Sequence, residues 1–195
     1  VPAWSLGNVL AVLRLSPFEP LHTVPLKWLT WKTVFLVAIV TASRSSDLSK
    51  FSCKSQFFRE HAESGDISLL PEGLKKQSRP GHISLESRIS KFPHDRKLDP
   101  VRALKIYLKR VKSVRGDCTS LFVTYGKKYS KPSPQTLARW ITQVISYAES
   151  KVSVNAVRPT AHSTRKVSTS WAQWRGVALG AILNAADWSD VSTFA

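Results

Sequence analysis

The stretch from Leu26 to Thr41, LKWLTWKTVFLVAIVT, constrains the fold more than any other part of this chain. Leu29, Val34, Leu36, Val37 and Val40 recur at helical spacing, and most positions between them are apolar as well. A helix apolar nearly all round has no face to offer water, so it must lie at the centre of a domain with other elements packed about it. A buried core helix is expected here, not a membrane span. Its most apolar part, Val34 to Ala42, is too short to cross a bilayer and is bracketed by Lys32 and Arg44. The 195 residues suffice for one ordinary domain, and 43% hydrophobic with 22% charged residues is a globular composition.

Other elements can be placed around that helix. From Trp4 to Leu15, apolar residues at Leu6, Val9, Leu10 and Leu13 line one helical face, with Ser5 placed to cap it and Pro17 and Pro20 to end it. After the central helix an arginine, Arg44, precedes Ser45-Ser46-Asp47, which looks like the start of a short helix. Between Phe51 and Arg88 the runs Phe57-Phe58, Ile67 to Leu70 and His82 to Leu85 read as two or three short strands, separated by turn signals at Glu63 to Asp66 and Pro71 to Gly81. Helices return after Pro100, where Val101, Leu104, Leu108 and Val111 form an apolar face, with Arg102, Lys105, Lys109, Arg110 and Lys112 largely off it. Thr119 to Tyr125 is a strand or extended segment ahead of a basic loop with Lys127, Lys128 and Lys131. Ser133-Pro134 opens a further helix, and another runs from about Ala161 to Trp174. The expected fold class is α+β: one mostly helical domain, residues 1–195, with a small antiparallel sheet.

Charge points to the partner. Twenty-nine Lys and Arg against 13 Asp and Glu give a formal charge of +16, which on a foldable chain indicates a polyanion, most often nucleic acid. Two cysteines, Cys53 and Cys118, exclude a disulfide framework and a cysteine-rich zinc site, and no carboxylate cluster suggests a metal. A chain that begins at Val1 and has no methionine reads as a piece of a longer polypeptide, and no leader marks it for secretion.

The clearest local signal is His162-Ser163-Thr164-Arg165. On a helix, residues three apart share a face, and an arginine can fork onto two phosphate oxygens beside a histidine that donates or accepts. Alone, the same pattern also fits a solvated basic face.

Together with Ala42-Ser43-Arg44-Ser45-Ser46-Asp47-Leu48, Gly176 and Ala186-Asp187-Trp188-Ser189, this pattern resembles the catalytic domain of tyrosine recombinases. More narrowly, the chain resembles recombinases of DIRS- and Ngaro-type retroelements, through Trp4-Ser5-Leu6, Pro17 to Leu21, Leu29 to Leu36, Pro100 to Leu104 and Ser168 to Ala172. The resemblance implies a DNA cutting and rejoining enzyme that works through a 3′-phosphotyrosine intermediate on double-stranded DNA. It needs no cofactor, forms a tetrameric synapse, and would act in the nucleus. It assigns Arg44 and Arg165 to the non-bridging oxygens, Lys76 to protonating the leaving 5′ oxygen, His162 to proton movement or phosphate binding, and Trp188 to an indole donor. These types suit in-line attack on a phosphodiester, where charge builds on non-bridging and departing oxygens. Lys75 neighbours Lys76 and is an alternative to it; Lys75, Arg102, Lys105, Lys109, Lys127, Lys128 and Lys131 are the expected DNA contacts.

The family's nucleophilic tyrosine falls roughly ten residues beyond the Trp188 position, past Ala195, and Tyr107, Tyr125, Tyr129 and Tyr147 all precede the His162 to Arg165 motif. Most of the family's N-terminal DNA-clamping domain is also absent from this stretch. The 195 residues are therefore expected to bind DNA without cutting it. The alternatives are a catalytically inactive DNA-binding domain on the same fold and an unrelated RNA-binding domain.

Overall fold

A computed structural model describes residues 4–73, 86–152 and 159–174. The central helix has the predicted limits. This helix, α2 (Leu26–Thr41), follows α1 (Leu6–Leu13) and precedes the single turn α3 (Ser45–Leu48). Three strands come next, β1 (Phe58–Glu60), β2 (Ile67–Leu69) and β3 (Ser87–Ile89), then a 3₁₀ turn at Arg96–Leu98 and the helices α4 (Pro100–Val111), α5 (Pro134–Val152) and α6 (Ala161–Trp174).

Helix α2 is the hub, with α4, α5, α6 and β3 all packed against it. Every residue from Leu29 to Ala38 is buried. That run includes Lys32, whose fully buried ammonium donates to the Leu13 carbonyl at 2.7 Å and to Glu19 at 2.6 Å. Lys32 is therefore no polar bracket at the edge of an apolar run; it is an interior cation neutralised by a carboxylate.

Capping decides where helices begin. Ser5 accepts from the Asn8 N–H and opens α1. Asp99 accepts from the Val101 and Arg102 N–H groups, with Pro100 in the first turn, where its missing donor costs nothing. Ser133 accepts from the Thr136 N–H ahead of Pro134. Helix α4 buries Val101, Ala103, Leu104, Tyr107 and Val111, so Tyr107 and Ala103 take the core-facing place expected of Leu108.

The sheet is antiparallel in the order β1-β2-β3, with Glu60 opposite Ile67 and Ile67 opposite Ile89. The third strand lies at Ser87–Ile89; the run His82 to Leu85 expected to supply it falls outside the described residues. Asp66 fastens one end of the sheet, accepting from Arg88, Ser90 and the Lys91 N–H. Those bonds, the Lys91 N–H first, hold its carboxyl below the usual range. Thr119 to Tyr125 forms no strand and bends at Leu121 and Phe122; it is joined to the rest by a bridge between Ser52 and Ser120, by the Leu121 N–H donating to the Phe51 carbonyl, and by the Tyr107 hydroxyl, which accepts the Val123 N–H at 2.9 Å.

Candidate nucleic-acid site

The turn that presents Arg44 is built by its neighbours. Helix α2 stops because Ala42 adopts a left-handed conformation (φ 48°, ψ 28°), while the Thr41 hydroxyl donates to the Val37 carbonyl and lies 2.8 Å from the Ser43 hydroxyl. Arg44 then returns to extended backbone (φ −75°, ψ 160°) and precedes α3. The Asp47 carboxylate reaches back to accept the Arg44 N–H at 3.1 Å, satisfying a donor at the helix start. The helix thus begins at Ser45 with Asp47 as its closing acid, a more exact arrangement than Ser-Ser-Asp alone conveyed. Arg44 itself is half-buried.

Positions 162 and 165 occupy the first two turns of α6. The residues between and beyond them tie that helix down. Ser163 accepts from the Trp4 indole N–H at 2.8 Å, and Ser168 donates to the Ile39 carbonyl, in the last turn of α2, at 2.6 Å. Thr164 and Val167 are buried. Helix α6 therefore packs on the end of α2 from which the Arg44 turn departs, and the backbone positions of Arg44 and of His162 and Arg165 are carried by contacting elements. Lys75, Lys76 and Trp188 lie outside the described residues, and at His162 and Arg165 only the backbone is described.

The basic residues expected to meet DNA divide into two groups. Arg102 faces inward: its guanidinium donates to Glu19 at 2.9 and 3.3 Å. Burial pushes the Glu19 carboxyl up, but hydrogen bonds from Arg102 and Lys32 outweigh it, and the net shift is downward. Desolvation depresses Lys32, and Glu19 offsets part of that. Lys105 is paired with Glu60, and Arg110 donates to the Leu21 and Val24 carbonyls. These side chains brace α4 against the segment between α1 and α2 and against β1.

Lys109, Lys127, Lys128 and Lys131 are exposed. The last three sit on a loop closed by Thr124, whose hydroxyl donates to the Lys128 carbonyl and accepts the Ser130 N–H, with Gly126 at φ 112°. Tyr125 anchors the loop base, accepting the Trp31 indole N–H at 2.6 Å and stacking on Trp140 at 5.3 Å.

Of the tyrosines, Tyr107 is fully buried, and burial pushes its phenol up to about 12. Tyr147 packs edge-on against Phe18. Among the described residues no group of three or more His, Cys, Asp or Glu is close enough to hold a metal ion, and no helix is long and apolar enough to cross a membrane.

No sequence-family profile matches the chain, and no curated protein does. Solved structures do. A lambda integrase dimer bound to a COC′ core site aligns over 100% of this chain and 56% of that one, with a TM-score of 0.55 at 14% identity. A lambda integrase tetramer bound to a Holliday junction covers 97% of this chain and 46% of that one, with 0.52 at 16%. An FLP recombinase–Holliday junction complex covers 94% and 42%, with 0.56 at 19%. This chain spans about half the length of the chains it matches. Its helices gathered about α2, with one three-stranded antiparallel sheet, form the fold of the tyrosine-recombinase catalytic domain.

Proposed function

We propose that this chain is the catalytic domain of a DNA strand-exchange recombinase, one that cuts and rejoins duplex DNA through a 3′-phosphotyrosine intermediate. The observation that carries the reading is the contact between α2 and α6. It brings the element that ends in the Arg44 turn against the element that bears His162 and Arg165, in a recombinase fold. Two arginines there would fork onto the non-bridging oxygens of one phosphate. His162 would handle a proton or the phosphate, Lys76 would protonate the leaving 5′ oxygen, and Trp188 would donate from its indole. The attacking tyrosine would lie past residue 195, as the sequence resemblance places it. Duplex DNA is the substrate, and DNA-bound assemblies among the similar structures support self-association on it. Matches at Trp4 to Leu6 and Leu29 to Leu36 favour a retroelement recombinase acting in the nucleus.

The test uses a suicide duplex and a denaturing gel for protein-linked DNA. The 195-residue chain should bind without forming an adduct, while the chain extended by its native sequence should form one and lose it on Arg165→Ala. Duplex binding with no adduct from the extended chain would mean a DNA-binding domain that does not cut. Preference for RNA over duplex DNA would overturn the reading.

A further inference from the structure

We infer that Trp4 is a positioning residue for the His162–Arg165 helix, setting the rotation of α6 through its hydrogen bond to Ser163; this rests on the phosphate-binding role proposed for that helix.

Trp4 is itself held in place. It is buried, its ring meets Phe35 of α2 edge-on at 6.3 Å, and the next N–H, that of Ser5, donates to the buried carboxylate of Glu149 on α5 at 3.1 Å. Ser5 also caps α1. The indole has a single N–H donor, so a fixed ring gives one fixed direction, and that donor is spent on Ser163 at 2.8 Å.

Helical geometry shows what the bond controls. At 3.6 residues per turn, Ser163 and Ser168 sit about 140° apart around the α6 axis. Ser163 is fastened to Trp4 and Ser168 to the Ile39 carbonyl, so two anchors at different heights and angles fix both the rotation and the position of the helix. On the same count, positions 165 and 162 fall about 200° and 260° from Ser163, on the arc opposite the two anchors. Turning α6 about its axis would sweep both positions past a bound phosphate. With Ser168 alone, the helix keeps a pivot near α2 but loses the side-chain hydrogen bond that fastens its first turn, the turn that carries position 162, to Trp4.

The experiment is a thermodynamic cycle on the whole 195-residue chain, with a short duplex as probe. Trp4→Phe keeps an aromatic ring against Phe35 and removes the N–H donor; Ser163→Ala removes the acceptor from the other side. Each should melt within a few degrees of the parent yet bind duplex several-fold more weakly. Each should also lower the slope of log affinity against log salt by about one, as loss of one phosphate contact does. The penalty of Trp4→Phe should vanish in an Arg165→Ala background and persist in full in a Lys127→Gln background, and Trp4→Phe/Ser163→Ala should bind no worse than either single variant. Equal penalties for Trp4→Phe in the Arg165→Ala and parent backgrounds would overturn the inference, as would unchanged binding by Ser163→Ala. If Arg165→Ala alone leaves affinity and slope untouched, the phosphate-binding reading of the helix falls, and the positioning role with it.

Discussion

The Lys32 ammonium and the Glu19 carboxylate meet at 2.6 Å with side-chain exposures of 0% and 8%. Glu19 comes from the loop after α1 and Lys32 from the middle of α2, and Arg102 of α4 approaches the same carboxylate at 2.9 Å. One acid thus joins its own loop, the central helix and α4. A buried pair of this kind contributes little net stability against an apolar substitute, but breaking it is expensive.

Removing the acid should therefore cost more than removing the lysine. Glu19→Gln leaves a wholly buried ammonium without a counter-charge and should destabilise by about 3–5 kcal/mol. Lys32→Met leaves Glu19 still paired with Arg102 and should cost clearly less. Denaturant melts of the two variants decide the order; equal losses would contradict it.

Acid should loosen the fold below the ordinary carboxylate range. Asp95 is held under its usual 3.8, first by the hydrogen bond from Arg14 at 2.5 Å, and Glu19 under its usual 4.5. A folded pKa below the unfolded one means that the unfolded chain takes up protons first as pH falls. The stability these groups contribute is therefore present above their unfolded values and lost on descent through the folded ones. The melting temperature should change little between pH 7 and about pH 5 on this account and then drop, with a shallower drop in Asp95→Asn.

Salt titrations of duplex binding should separate the two groups of basic residues. Lys109→Gln, Lys127→Gln, Lys128→Gln and Lys131→Gln remove exposed ammonium groups, and each should reduce the slope of log affinity against log salt by about one. Arg102→Gln should leave that slope unchanged and lower the melting temperature instead, because its guanidinium is engaged with Glu19. A fall in slope for Arg102→Gln would show that it meets DNA as well as Glu19.

Asp47→Ala should damage the Arg44 turn without removing any positive charge. Loss of the carboxylate that accepts the Arg44 N–H should cost about 1 kcal/mol, or roughly 2–4 °C in melting temperature. Duplex affinity should fall as well. Unchanged affinity would show that the turn holds its shape without the acid.

What could be read in the sequence follows from the range of the interactions. Helix α2 was legible because its apolarity is continuous, and α4 because an apolar face at helical spacing follows Pro100. Strand β3 was not: its three residues, Ser87 to Ile89, include an exposed arginine and a single buried side chain, too little for alternation to stand out. The Glu19–Lys32 pair was hidden because a lone lysine in an apolar run reads as an edge until its partner, thirteen positions earlier, is brought beside it. The bond from Trp4 to Ser163 spans 159 positions, and no local pattern encodes such a contact. The inward engagement of Arg102 also depends on Glu19. Its helical phase put it off the apolar face but could not say which neighbour would claim it.

The left-handed alanine at the end of α2 makes the aim of Arg44 a matter of torsion. Had Ala42 stayed right-handed, the helix would have run on, carrying residue 44 about 100° around the axis for every residue added. An alanine in the left-handed well gives up roughly 1 kcal/mol to avoid that. The direction of the most chemically expressive side chain in this turn is thus written by its plainest neighbour. A branched residue at 42 would redirect the arginine while every charge in the protein stayed the same.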